Sequence, residues 1–251
     1  MSIDVTNEKR FESDIEAFFL SEEGGYTSNT EPFDPADALY KETLFKFIES
    51  TQPKEWARFV NANAVNPQRA FIKSFEYNCE NLGLLYVLRN GFKHRGIQFK
   101  VCYFKPESDL NETDNELYNK NIITCNRQWH YSSTCKKSVD MVIAVNGIPV
   151  FAFELKNQYT GQNVEDAKRQ WMYDRDPYER CFRFDSRVLG FFCVDHTDVF
   201  MTTKLDGEKT VFCHLTRVQM GQVMMVEQET QRTHTDIRRR IYGRRFFKRI
   251  A

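Results

Sequence analysis

From Val139 to Leu155 the chain is almost unbroken in its apolar character: V-D-M-V-I-A-V, then Asn146-Gly147, then I-P-V-F-A-F-E-L. Two such runs around Asn-Gly predict a β-hairpin closed by a tight turn. Runs apolar at nearly every position predict strands covered on both faces. Strands are therefore expected at Val139–Val145 and Val150–Leu155. Upstream the period is helical. Phe11, Ile15, Phe18 and Phe19 predict a helix over about Glu8–Glu22, stopped by Gly24-Gly25. Helical patterns follow at Pro35–Glu49, Pro53–Asn61 and Pro67–Leu88, each opening on a proline, which the first turn tolerates. Ile97–Phe104 alternates like a half-buried strand, Lys105–Asn121 reads as a polar loop, and Ile122–Tyr131 reads as the next strand. A helix over Asn163–Arg175 and strands at Arg187–Val194 and Val199–Thr203, turning at His196-Thr197, complete the pattern. Helices first, then strands with a helix among them, predict an α/β domain with a mixed sheet.

Composition narrows this picture. The 251 residues suffice for one domain, or one plus an appendage, with a core that needs no disulfides. A formal net charge of zero neither favours nor excludes a nucleic-acid partner, and 14% aromatic residues argue against disorder. Seven cysteines, odd in number and without a C-x-x-C pair, predict a reduced protein with no structural zinc. The opening M-S-I-D-V-T-N-E-K-R has no apolar core of a signal peptide, and no apolar run reaches membrane-spanning length. The expectation is a soluble cytoplasmic protein with no membrane partner.

The hairpin carries the candidate chemistry. Asp140, Glu154 and Lys156 are charged inside strands that otherwise read as buried, where charge is costly. Glu154 and Lys156 are two apart, so they share a strand face, and a two-residue turn brings Asp140 alongside. Two carboxylates plus a backbone carbonyl, such as that of Leu155, suit Mg²⁺ or Mn²⁺. Such a cation polarises a phosphodiester and acidifies an attacking water, and Lys156 would neutralise charge in the transition state. An E-x-K triplet alone also describes solvated charges on an edge strand; the partner Asp140 and the apolar flanks favour the metal site. His130 reads as packed or solvated, and His196 as a surface turn residue.

Asp140 with Glu154-Leu155-Lys156 resembles the PD-(D/E)XK nuclease signature. The surrounding segments resemble the N-terminal nuclease domain of type I restriction enzyme R subunits. They include F-E-S-D-I-E-A-F-F-L from Phe11, Y-N-K-N-I-I-T-C-N-R-Q from Tyr118, D-A-K-R-Q from Asp166 and F-R-F-D-S-R-V-L-G-F-F-C-V-D-H-T-D-V-F-M-T-T-K-L from Phe182. The resemblance spans most of residues 8–211. It implies a PD-(D/E)XK restriction-endonuclease-like fold, a central mixed sheet flanked by helices, and magnesium-dependent endonucleolytic cleavage of double-stranded DNA. It also implies partners: the methyltransferase and specificity subunits of a type I complex. By position, Asp140 and Glu154 are metal ligands and Lys156 is the catalytic lysine. Glu12 and Glu16 are both candidates for the family's upstream acid, and Arg127 and Gln128 match its R-Q pair. Gln170 matches the family's Gln-x-x-x-Tyr, but Tyr173 falls three residues on and Asp174 takes the fourth place.

The family couples this domain to an ATP-driven motor, yet the sequence has no G-x-x-x-x-G-K-S/T phosphate loop. The implied function is thus an R-subunit fragment with nuclease chemistry and no translocase; the alternative is an inactive remnant or a DNA- or partner-binding module. From Phe212 to Ala251 the chain has nine Arg and Lys against three Asp and Glu, with Arg238–Arg240 in a row and little apolar period. A domain boundary is expected at Val211, followed by a disordered basic tail. Permitted codons for this tail, read with a one-base offset, yield F-L-P-F-N-Q-G-S-N-G-A-G-N, the continuation that the family resemblance calls for. A frameshift near Val211-Phe212 is therefore expected; sequencing the gene there shows that text in the offset frame, and any other text disposes of the idea.

Overall fold

The computed structural model describes residues 2–106, 111–158 and 161–217. Five helices come first: α1 (Ser2–Leu20), α2 (Lys41–Thr51), α3 (Pro53–Ala62), α4 (Pro67–Leu82) and α5 (Leu84–Asn90). A small antiparallel hairpin, β1 (Phe92–His94) and β2 (Ile97–Phe99), and helix α6 (Glu112–Asn119) follow. The main sheet then forms from β3 (Ile123–Trp129), β4 (Val139–Val145), β5 (Ile148–Leu155), β6 (Gly190–Val194), β7 (Asp198–Thr202) and β8 (Cys213–Arg217), side by side in chain order. Every neighbouring pair is antiparallel except β5 and β6, which are parallel. A parallel pair needs a crossover; here it contains α7 (Val164–Arg169), which runs on as one π-helical turn over Gln170–Asp174.

The mixed α/β architecture with a sheet flanked by helices is the one expected. Its continuous apolar strands have a simple cause: both faces are packed. Met141, Ile143 and Val145 of β4 with Phe151, Phe153 and Leu155 of β5 join the core shared with the N-terminal helices. Val142, Ala144 and Ala152 face the other core, with Trp171, Phe182 and Phe191.

The hairpin turn is tied to the rest of the chain. Asn146 and Gly147 have φ of 51° and 81°, both left-handed, as a two-residue turn of this hand requires. Asn146 is fully buried. Its Oδ1 accepts the Ile122 N–H at 2.7 Å, and its Nδ2 donates to the Val101 carbonyl at 2.8 Å and to Asn121 Oδ1 at 2.9 Å. A Cβ on Gly147 would lie 2.2 Å from the Tyr40 carbonyl oxygen, so only glycine fits.

Several expectations need correction. The helix expected from Pro35 starts at Lys41, because residues 34–40 form a tight loop in which Ala38 has φ 52°. Buried Arg187 holds that loop by donating to the Ala38 and Asp37 carbonyls. The helix expected over Pro67–Leu88 breaks at Gly83, φ 83°, where Asp185 caps α5 by accepting the Leu85 N–H with its side chain and the Leu84 N–H with its carbonyl. Only Ile97–Phe99 of the expected strand Ile97–Phe104 is a strand, and it pairs with Phe92–His94, which the pattern did not single out. The expected loop at Lys105–Asn121 contains α6, capped by the Asn111 side chain. The sheet also runs past Val211, since Cys213–Arg217 pair with β7. Arg238–Arg240 and the rest of the basic tail from residue 218 on lie outside the described residues.

Asn146→Gly keeps the turn backbone but strips three hydrogen bonds, one from buried Val101 and two from half-buried Asn121 and Ile122. It is expected to lower stability by about 2–4 kcal/mol, read from urea unfolding.

Candidate active site

Asp140 and Glu154 stand where β4 and β5 end together. Met141 is the last residue of β4 in register with β5, facing Phe153; one step further the ladder gives way to a side chain. Asp140 Oδ2 accepts the Leu155 N–H at 2.8 Å. Lys156 Nζ lies 3.8 Å from that same oxygen. The Lys156 N–H donates to the Val194 carbonyl at 2.8 Å, which fastens this end of β5 to β6. The structure thus brings Asp140, Glu154 and Lys156 together, with Lys156 buried and Asp140 half-buried.

Glu154 is 0% exposed. Burial, and then the negative charge of Asp140, raise its carboxyl above the ordinary range, against the opposing pull of Arg175 and Lys156. Buried Arg175, just after the π-helical turn, donates to Glu154 Oε1 from Nε at 3.0 Å and from Nη2 at 2.6 Å. The same Nη2 reaches the Ser138 carbonyl at 2.7 Å. Glu154 Oε2 is buried and has no hydrogen-bond partner among the described residues.

Helix α1 supplies the third acid. Glu12 is buried, and burial followed by the Asp140 charge raises its carboxyl above the ordinary range. Arg127 donates to Glu12 Oε2 from Nη2 at 3.0 Å, and Gln128 Nε2 donates to it at 3.2 Å. Glu16 lies one turn on, 3.4 Å from Arg127 Nη1, and its side chain is more exposed than that of Glu12. Of the two upstream candidates, Glu12 is the one facing the site. Gln128 has φ 49°, left-handed for a non-glycine residue inside a strand. It falls between the pairs Arg127–Met141 and Trp129–Val139, and so across from Asp140. Strain of this kind costs about 1–3 kcal/mol and concentrates at functional sites.

The remaining candidates are placed less centrally. Gln170 is half-buried with its Oε1 unpartnered among the described residues. Tyr173 is 61% exposed. His130 is exposed. His196, expected at the surface, is instead half-buried and stacks on Phe11 at 4.3 Å, one residue before Glu12. The pattern gave no hint of Arg175 or Ser138: a single arginine after a helix and a serine before a strand carry no period or motif.

Among the described residues no group of three or more His, Cys, Asp or Glu side chains converges as a metal site. The acids have other partners here: Arg175 takes Glu154 Oε1, Arg127 and Gln128 take Glu12, and Leu155 donates to Asp140. The donor chemistry nevertheless fits a hard divalent cation. All three acids offer hard oxygen donors, and Glu154 keeps a buried oxygen with no partner among the described residues.

Residues 28–210 match the family described as the type I restriction enzyme R protein N terminus, and the chain belongs to that family. The matched stretch holds Asp140, Glu154, Lys156 and Gln170, while Glu12 and Glu16 lie upstream of it. No curated protein matches the chain. No helix of the described residues is long and apolar enough to cross a membrane.

Removing one partner of a buried ion pair strands the other. Arg175→Met is expected to cost about 3–5 kcal/mol in denaturant unfolding, and adding Glu154→Leu should return much of that loss; no recovery in the double variant would mean that the pair is not what sets the cost.

Proposed function

We propose that this chain is the PD-(D/E)XK nuclease domain of a type I restriction system, cutting double-stranded DNA with Mg²⁺. The observation that carries this reading is the meeting of Asp140 and Lys156 on one oxygen, 3.8 Å apart, beside the buried carboxylate of Glu154. Asp140, Glu154 and, from α1, Glu12 would hold the cation, with the Leu155 carbonyl as a further donor; Glu16 is the less favoured upstream acid. When bound, the cation would polarise the scissile phosphate and acidify the attacking water. Lys156 has the charge to offset the negative charge that builds at phosphorus as water enters opposite the leaving oxygen. Its burial keeps that ammonium away from bulk water, where its field would be weakened. Gln170, with its free buried oxygen, is proposed to orient water or DNA at the rim.

In this reading the partners are double-stranded DNA and the methyltransferase and specificity subunits of a cytoplasmic type I complex. ATP hydrolysis would be the work of a translocating motor, not of these residues. The competing reading is an inactive remnant. It draws on the same geometry, since Glu154 and Glu12 are already paired with cations.

A supercoiled-plasmid assay separates the two. The nuclease reading expects slow nicking with Mg²⁺, removed by EDTA, abolished in Asp140→Ala and lowered about 100-fold or more in Lys156→Ala. Folded protein that leaves the plasmid intact with both Mg²⁺ and Mn²⁺ favours the remnant.

A further inference from the structure

The two carboxylates flanking Asp140 are held by neighbours that meet at one residue. Ser138 stands immediately before β4, two positions from Asp140. Its carbonyl accepts from Arg175 Nη2 at 2.7 Å, and its Oγ donates to Gln128 Oε1 at 2.9 Å. Arg175 continues to Glu154, and Gln128 continues to Glu12. The result is an unbroken chain of hydrogen bonds, Glu12–Gln128–Ser138–Arg175–Glu154, running from α1 to the end of β5.

We propose that Arg175 and Gln128, joined through Ser138, are positioning residues that hold the carboxylates of Glu154 and Glu12 on either side of Asp140 for a divalent cation. The proposal rests on the nuclease reading above. Three features carry it. Both Arg175 bonds to Glu154 end on Oε1, so the carboxylate is fixed in rotation while Oε2 remains free. The Gln128 backbone is left-handed where an unstrained strand residue would otherwise stand, and its side chain reaches Glu12 on one side and Ser138 on the other. Arg175 is itself buried, its guanidinium 5.7 Å from the Tyr131 ring, so it is not a mobile surface cation. Partners of metal ligands orient the ligand before the ion arrives, and losing one typically weakens metal binding about 10–100-fold.

The test is a Mn²⁺ titration of the full chain followed by electron paramagnetic resonance, which reads binding without cleavage. Arg175→Lys keeps the charge but loses the two-point grip and the bond to Ser138; Mn²⁺ Kd is expected to rise about tenfold. Ser138→Ala removes only the Oγ joint at a half-exposed position, and a smaller rise is expected with an unchanged melting temperature. This second variant keeps the test open if Arg175→Lys folds poorly. Wild-type Kd in both variants overturns the proposal, as does tighter binding in Arg175→Lys, which would make Arg175 a competitor of the metal. Asp140→Asn tells the two levels apart. If it abolishes binding while the positioning variants bind normally, the metal site stands and only the brace falls; if it binds as the parent does, or the parent binds no Mn²⁺, both fall.

Discussion

A carboxylate removed completely from water is the constraint around which the end of the sheet is organised. Desolvating an ion of that size costs several kcal/mol even after the protein relaxes around it, and the cost is offset only by well-placed opposite charge and hydrogen bonds. Glu154 meets that demand with two N–H groups of one guanidinium. The guanidinium must then be buried as well, which calls for acceptors for its other donors, and the Ser138 carbonyl takes one of them. Lys156 and Asp140 meet nearby, and Arg127 answers Glu12. Three acids and three cations therefore share a small region where an ordinary sheet end would be apolar or wet. Such a concentration has little to recommend it for stability alone, since apolar replacements of similar volume commonly do as well or better.

The parts of this arrangement that sequence could reveal are those governed by period. β4 was legible to the residue, because unbroken apolar runs around Asn-Gly admit few other foldings. The meeting of Asp140, Glu154 and Lys156 was legible only in part: alternation puts Glu154 and Lys156 on one face, but the two-residue turn alone would set Asp140 against Phe153, and a one-residue register shift between Ile143 and Ala144, without a signature in the sequence, brings it level with Glu154. What stayed hidden depends on contacts distant in the chain. The break at Gly83 reads as an ordinary helical glycine until Asp185 is seen to cap the helix that follows. Arg187 was read as the start of a strand, yet its side chain crosses the core to hold carbonyls about 150 residues earlier. Arg175 belongs to the same class: its importance comes from a carboxylate 21 residues away and has no local signature.

The site also depends on parts of the molecule far from it. Asn146 and Gly147 close the opposite end of the same two strands and lock them to the chain at Val101, Asn121 and Ile122. Between that turn and the acids the ladder shifts by one residue, at Ile143 and Ala144, and without the shift Asp140 would stand opposite Phe153 rather than Glu154. The register from the turn onward is thus a condition for the acids to meet at the other end. The parallel β5–β6 pair adds a second condition, since the Lys156 backbone is hydrogen-bonded to Val194.

The outermost strand illustrates how little a ladder asks of its last member. β8 attaches to β7 by main-chain pairing from Met201–Cys213 to Asp198–Arg217, with a slip in register between Val199 and Phe200. Every amino acid except proline offers the same amide and carbonyl to such an edge. The His214 imidazole lies 2.9 Å from Asp198 Oδ1, but it is exposed and the contact adds little. A border that recruits by backbone is indifferent to vocabulary: whatever side chains follow Val211, main-chain pairing alone lets β8 cover the rim of β7 and keep that rim from pairing with another molecule.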